Sequence, residues 1–184
     1  MKELEKYKRI VVSGCQRSGT TILTKMIAHT LGYTKLDEFQ VYPHNLANMS
    51  ETLKREKVVI HSPQLTSRLH QITAPSTCIV WITRPFGEIR KSMNRIGWQI
   101  EEEERQKYIH RFAKIVKGIN YNQPIEKLKH DFWQWQKQRM KVDWIEHKYE
   151  SEYMKTHELF RNSEQRKEFN PKQTSEDNRS GRDW

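Results

Sequence analysis

Cysteine is scarce in this 184-residue chain: Cys15 and Cys78 stand far apart, each in or beside an apolar run. That number and spacing exclude a disulfide framework and a cysteine-rich metal site, and the simple expectation is a reducing compartment. Long hydrophobic runs are also missing. No stretch reaches the ~18 apolar residues needed to span a bilayer, and the opening MKELEKYKR has no apolar signal-peptide core. The expected protein is cytoplasmic with no membrane span.

Apolar residues make up 35% of the chain and charged residues 30%. They are not spread evenly: they gather at 10–31, 58–98 and 109–160, while 161–184 is almost entirely polar. This distribution predicts one folded domain over 1–160 and a polar segment over 161–184, not global disorder. The formal net charge of +10 points to acidic partners. Nucleic acid, an anionic membrane and a phosphorylated small molecule all satisfy it, and charge alone does not choose among them.

Ile10-Val11-Val12 is a short β-branched run ending at Ser13-Gly14, which reads as a buried strand. Ile22, Leu23, Met26, Ile27 and Leu31 follow at helical spacing, with Gly32 as the stop. Further strands are expected at 57–61, at 78–82 and at 144–149, with a weaker one near Phe39–Tyr42. Helical patterns fall at 65–69, 101–118, 125–140 and 152–160. Continuous apolar strands separated by helices predict an α/β fold, three layers α/β/α around a mainly parallel sheet. Leu128, Phe132, Trp135 and Met140 fall on one side of the helix expected over 125–140, and Trp133 and Trp135 read as packing residues.

Gly14-Cys15-Gln16-Arg17-Ser18-Gly19-Thr20-Thr21 has the spacing of a phosphate-binding loop, GxxxxGK[ST], between that first strand and helix. Such a loop cradles a phosphate with consecutive backbone N–H groups at a helix N-terminus. The lysine that reaches the β- and γ-phosphates of a nucleoside triphosphate is replaced by Thr20. The loop therefore suits a single phosphate group better than ATP, with Arg17 adding positive charge.

The run VVSGCQRSGTTIL resembles the 5′-phosphosulfate loop, PKSGTT or PRSGTT, of the sulfotransferase family, enzymes with a P-loop NTPase-like fold. The resemblance implies 3′-phosphoadenosine-5′-phosphosulfate (PAPS) as sulfuryl donor, held at that end by Arg17, Ser18, Gly19, Thr20 and Thr21, with no metal. A second motif is Thr83-Arg84-Pro85, followed by Ser92 eight residues after Arg84. It resembles the family's Arg-(Asp)-Pro…Ser element and assigns Arg84 and Ser92 to the donor's 3′-phosphate. A third, Val59-Ile60-His61-Ser62-Pro63, is similar to the family's KTHLP stretch, whose histidine takes the acceptor's proton.

Two candidates for the base stay open. His61 closes a strand, where a neutral imidazole serves either as general base or as a hydrogen-bonded core residue. Glu38 matches the glutamate that some members with a loop arginine carry after the loop's helix. The ending Arg179-Ser180-Gly181-Arg182-Asp183-Trp184 is similar to the family's RKGxxGDW, and Lys172-Gln173-Thr174 is another polar stretch able to close over a donor.

The expected function is sulfuryl transfer from PAPS to a hydroxyl or amine of a small-molecule or glycan acceptor. The alternatives are a P-loop nucleotide or small-molecule kinase, which the missing lysine opposes, and a non-catalytic nucleic-acid-binding protein. The basic residues are interspersed with acidic ones and form no stripe, so no specific nucleic-acid partner is expected.

Overall fold

A computed structural model describes residues 2–37, 50–97, 102–112 and 116–149. The expected strand at 39–42, the helix at 152–160, Glu38 and the polar segment 161–184 lie outside them. Five strands form one sheet: β1 (Arg9–Gly14), β2 (Thr34–Leu36), β3 (Val58–His61), β4 (Thr77–Thr83) and β5 (Asp143–Lys148). Their order is β2-β3-β1-β4-β5, and every pairing is parallel. Accompanying them among the described residues are the helices α1 (Thr20–Leu31), α2 (Phe86–Arg95), α3 (Glu102–Phe112) and α4 (Ile125–Lys137).

The central strands form where the sequence is continuously apolar, and they are buried along their length. Alternate residues face opposite sides of a sheet. Val11, Val58, Ile60, Ile79 and Trp81 share a core with Leu65, Leu69 and Trp133 of α4. His61 and Ile82 belong to the other alternation, and each meets the loop-α1 side: His61 at Thr20, Ile82 at Gly19. The connection leaving β1 runs to one side of the sheet, and those leaving β3 and β4 run to the other. Right-handed crossovers therefore put α1 and the later helices on opposite faces. The result is a three-layer α/β/α, P-loop NTPase-like fold.

One expected element changes and one unexpected strand is added. The short helix expected over 65–69 is a pair of 3-10 turns, Pro63–Ser67 and Leu69–Gln71. β2 occupies Thr34–Leu36, three residues with too little apolar pattern to read in isolation. They become a strand by pairing with β3, Thr34 opposite Val58 and Leu36 opposite Ile60. Among the described residues, no helix is long and apolar enough to cross a membrane.

Sheet and α4 meet in the stack of Trp81 on Trp133, ring centroids 4.7 Å apart and planes within 2° of parallel. Both rings are fully buried, and the Trp133 indole N–H donates to Glu146 of β5 at 2.6 Å. Trp133→Ala removes the ring and one of two donors to Glu146 Oε1, leaving Lys137 Nζ at 2.8 Å. It is expected to destabilise the fold by roughly 3–5 kcal/mol, read as a lowered urea midpoint at unchanged slope.

Candidate anion-binding site

The site is set by the register of β1 on β4, which puts Gly14 opposite Ile82. The two strands end side by side, and their outgoing chains leave toward opposite faces, the position where open parallel sheets bind ligands. From β1 comes the loop 15–19, and two residues beyond Ile82 stands Arg84. Gly14 has φ 154°, and a Cβ there would sit 2.7 Å from the Ile82 carbonyl oxygen and 2.9 Å from Ser18 Oγ. Only glycine allows the loop to close this tightly on its neighbour.

Gly19 caps α1 at φ 101°, and a Cβ on it would lie 2.6 Å from the Tyr149 ring. Ser18 is fully buried beneath the loop, and its hydroxyl has no hydrogen-bond partner among the described residues. A buried, unsatisfied hydroxyl inside a loop at a helix N-terminus fits an anion seated there.

The predicted residues fall into two groups. The first joins Arg17, Arg84 and Ser92. Arg17 stands in the left-handed region at φ 65°, and its side chain turns toward α2, where Nε donates to Ser92 Oγ at 3.2 Å. Arg84 Nη1 donates to the Arg17 carbonyl oxygen at 3.0 Å, and its Nε donates to Glu88 at 3.0 Å. The Arg84 guanidinium also lies over the Tyr149 ring, 4.3 Å from its centroid. The resemblance assigns Arg17 and Ser92 to opposite ends of the donor, yet here the two side chains touch. Burial first, then the positive charges of Arg95 and Arg84, hold the Arg17 pKa below its ordinary value. A cluster of cations that raise one another's energy is the electrostatic complement of a multiply charged anion.

The second group joins His61, Thr20 and Thr21. His61 Nε2 lies 2.9 Å from Thr20 Oγ1 and 3.2 Å from Thr21 Oγ1, and Nδ1 is 3.8 Å from Asp37 Oδ1. Burial lowers the His61 pKa to about 4, with Asp37 opposing and Lys35 assisting. The ring is therefore neutral at pH 7. With Nδ1–H facing the carboxylate, Nε2 accepts from the threonine hydroxyls.

Four residues escaped the sequence reading. Arg95 lies three residues after Ser92, one turn on along the same helix face, and that spacing was its only signal. Tyr149 immediately follows β5, and its amide donates to the Thr83 carbonyl at 2.8 Å; nothing local marks it. Asp37 closes β2, which itself was illegible. Lys129, on α4, is buried, and its Nζ donates to the Gln16 Oε1 of the loop. Its signal was a lysine at the i+4 position from Ile125, on the apolar stripe. Cys15, the loop's second residue, is buried too; its thiol donates to the Glu126 carbonyl at 3.3 Å, and burial pushes its pKa up to about 12.

No protein-family model and no curated protein matches this chain. Among solved structures it is similar to shikimate kinase from Bacteroides thetaiotaomicron, at 13% identity and TM-score 0.45, over 74% of this chain and 85% of that one. It is also similar to shikimate kinase from Aquifex aeolicus, at 14% identity and TM-score 0.39, over 71% and 96% of the respective chains.

Two measurements test this geometry. Gly19→Ala forces a side chain into both a left-handed backbone and the Tyr149 ring, and is expected to cost roughly 1–3 kcal/mol, seen in the urea midpoint. A midpoint equal to the native one would refute the close approach. For His61, the unfolded imidazole takes up a proton near pH 6.5, the folded one only near 4. Stability is full above about pH 6.5, declines on acidification across that window, and levels off below it. The expected total is on the order of 3 kcal/mol, reduced in His61→Gln. Proton NMR of the ring should show the depressed pKa directly.

Proposed function

We propose that this chain is a sulfotransferase that moves a sulfuryl group from PAPS to a hydroxyl or amine of a small-molecule or glycan acceptor. The observation that carries the reading is the meeting of Arg17, Arg84 and Ser92 at the lip of a glycine loop whose Ser18 hydroxyl is buried and unpaired. The resemblance names the same residues for the donor, from two motifs separate in sequence. A loop without its lysine and a cationic rim beside it suit a nucleotide carrying anionic groups on both 5′ and 3′ positions.

In this reading the loop amides and the Ser18, Thr20 and Thr21 hydroxyls hold the 5′-phosphate end, and Arg84 and Ser92 hold the 3′-phosphate. Arg17, between them, stabilises charge that develops on the leaving phosphate oxygen. The S–O bond to that phosphate breaks as a new S–O or S–N bond forms to the acceptor, whose proton must go to a base. His61 is the base we favour, since burial keeps it neutral at pH 7 and its Nε2 is freed for the acceptor's proton when the Thr20 and Thr21 hydroxyls turn to the phosphate. Glu38 is its competitor. Fixing the donor at both ends supplies the orientation that in-line transfer requires.

Calorimetry with PAP, the desulfated product of the donor, tests the reading on the native chain and on Arg84→Ala and Ser92→Ala. The expected result is micromolar binding that weakens about tenfold or more in each variant. Absence of native binding to PAP sinks the donor assignment. Tight binding of ATP with Mg²⁺ and indifference to PAP would favour the kinase reading instead. Salt-sensitive binding of random oligonucleotides that PAP does not displace would favour nucleic-acid binding.

A further inference from the structure

A phosphate loop ordinarily carries its own cation at the position that Thr20 fills here. Thr20 has a hydroxyl, 2.9 Å from His61 Nε2, but no charge to give. Arg17, the cation within the loop, has turned out to Ser92. The third residue of the loop, Gln16, meets an ammonium brought from a different element. Lys129, 2% exposed, donates from Nζ to Gln16 Oε1 and lies 5.7 Å from the centroid of the Tyr108 ring.

The helix that delivers it is held against the loop at a second point. One turn before Lys129, Glu126 accepts the Cys15 thiol on its carbonyl oxygen and pairs through its carboxylate with Arg90 at 2.6 Å. The charge of Lys129 is felt at Cys15, where it opposes the rise that burial causes. An ammonium removed from water is screened far less than a surface one, so its field extends to what the loop binds.

We propose that Lys129 is a positioning residue for the bound phosphate: from α4 it fixes the Gln16 amide and gives the loop the positive charge that a lysine at position 20 would otherwise supply. This rests on reading the loop as an anion site. Holding Oε1 sets the amide's orientation and braces the peptide units on either side of Gln16, the units whose N–H groups must converge on the anion. The missing lysine is thus replaced from outside the loop, at the second and third loop residues and not at the start of α1.

The test titrates PAP and, in parallel, pyrophosphate into native protein, Lys129→Met, Lys129→Arg, Gln16→Ala and the Lys129→Met/Gln16→Ala pair, with folding checked by thermal unfolding. Expected are a loss of about tenfold to a hundredfold in Lys129→Met, recovery of most of it in Lys129→Arg, and a loss in Gln16→Ala that does not add to that of Lys129→Met. A purely structural lysine would not be rescued by arginine in anion affinity. A folded Lys129→Met that binds both probes within about twofold of native overturns the proposal. If Lys129→Met does not fold, Gln16→Ala decides: native affinity overturns it, a comparable loss supports it. Native protein that binds pyrophosphate but not PAP defeats the donor assignment while the pyrophosphate series still judges Lys129. Native protein that binds neither defeats both.

Discussion

The pairing of Gly14 with Ile82 across β1 and β4 is the constraint on which the site depends. It brings the ends of two strands, far apart in sequence, side by side at one inter-strand spacing, and it leaves no room for a side chain between them. The loop that follows Gly14 and the arginine that follows Ile82 must then occupy the same corner of the molecule. Arg84 confirms this by bonding the Arg17 carbonyl. The hydrogen bond does two things: it satisfies a carbonyl in a left-handed residue, and it fixes the loop's outer edge to the sheet. Parallel pairing of buried strands is what makes such a junction rigid.

Around that junction the polar groups are paired in ways that leave the loop's interior for an anion. Thr20 and Thr21 share His61, Arg17 takes Ser92, and Gln16 takes Lys129. Ser18 alone keeps a buried, unsatisfied hydroxyl within the loop. Charges of one sign accumulate on the rim, from Arg17, Arg84 and Arg95, with Glu88 the carboxylate bonded to Arg84. Self-repulsion of this kind lowers stability locally and is retained where a ligand offsets it.

The sheet was legible because its inner strands are unbroken apolar runs, and the loop because glycines at a fixed spacing sit between a strand and a periodic helix. β2 was not, since three residues with one buried side chain carry no period and owe their conformation to β3. The eight-residue interval from Arg84 to Ser92 marked two residues that both bond to Arg17 at the loop's edge. That Arg17 would touch Ser92 was hidden, because it follows from one backbone torsion, φ 65°, that an arginine adopts at some cost. Lys129 and Tyr149 were hidden for another reason: both come from elements remote in sequence, and only the packed tertiary arrangement brings them to the loop. Glu38 and the segment 161–184, named from resemblance, fall outside the described residues.

Cys15 gives the loop a chemical property of its own. A cysteine at the edge of an electropositive helix N-terminus is ordinarily a candidate for a low pKa and ready alkylation or oxidation. Here the thiol is sealed under α4, spends its proton on the Glu126 carbonyl, and is held at a pKa of about 12. It is almost entirely thiol at neutral pH, and the thiolate is the species that reacts. Peroxide and electrophiles therefore find no handle in the second position of the loop.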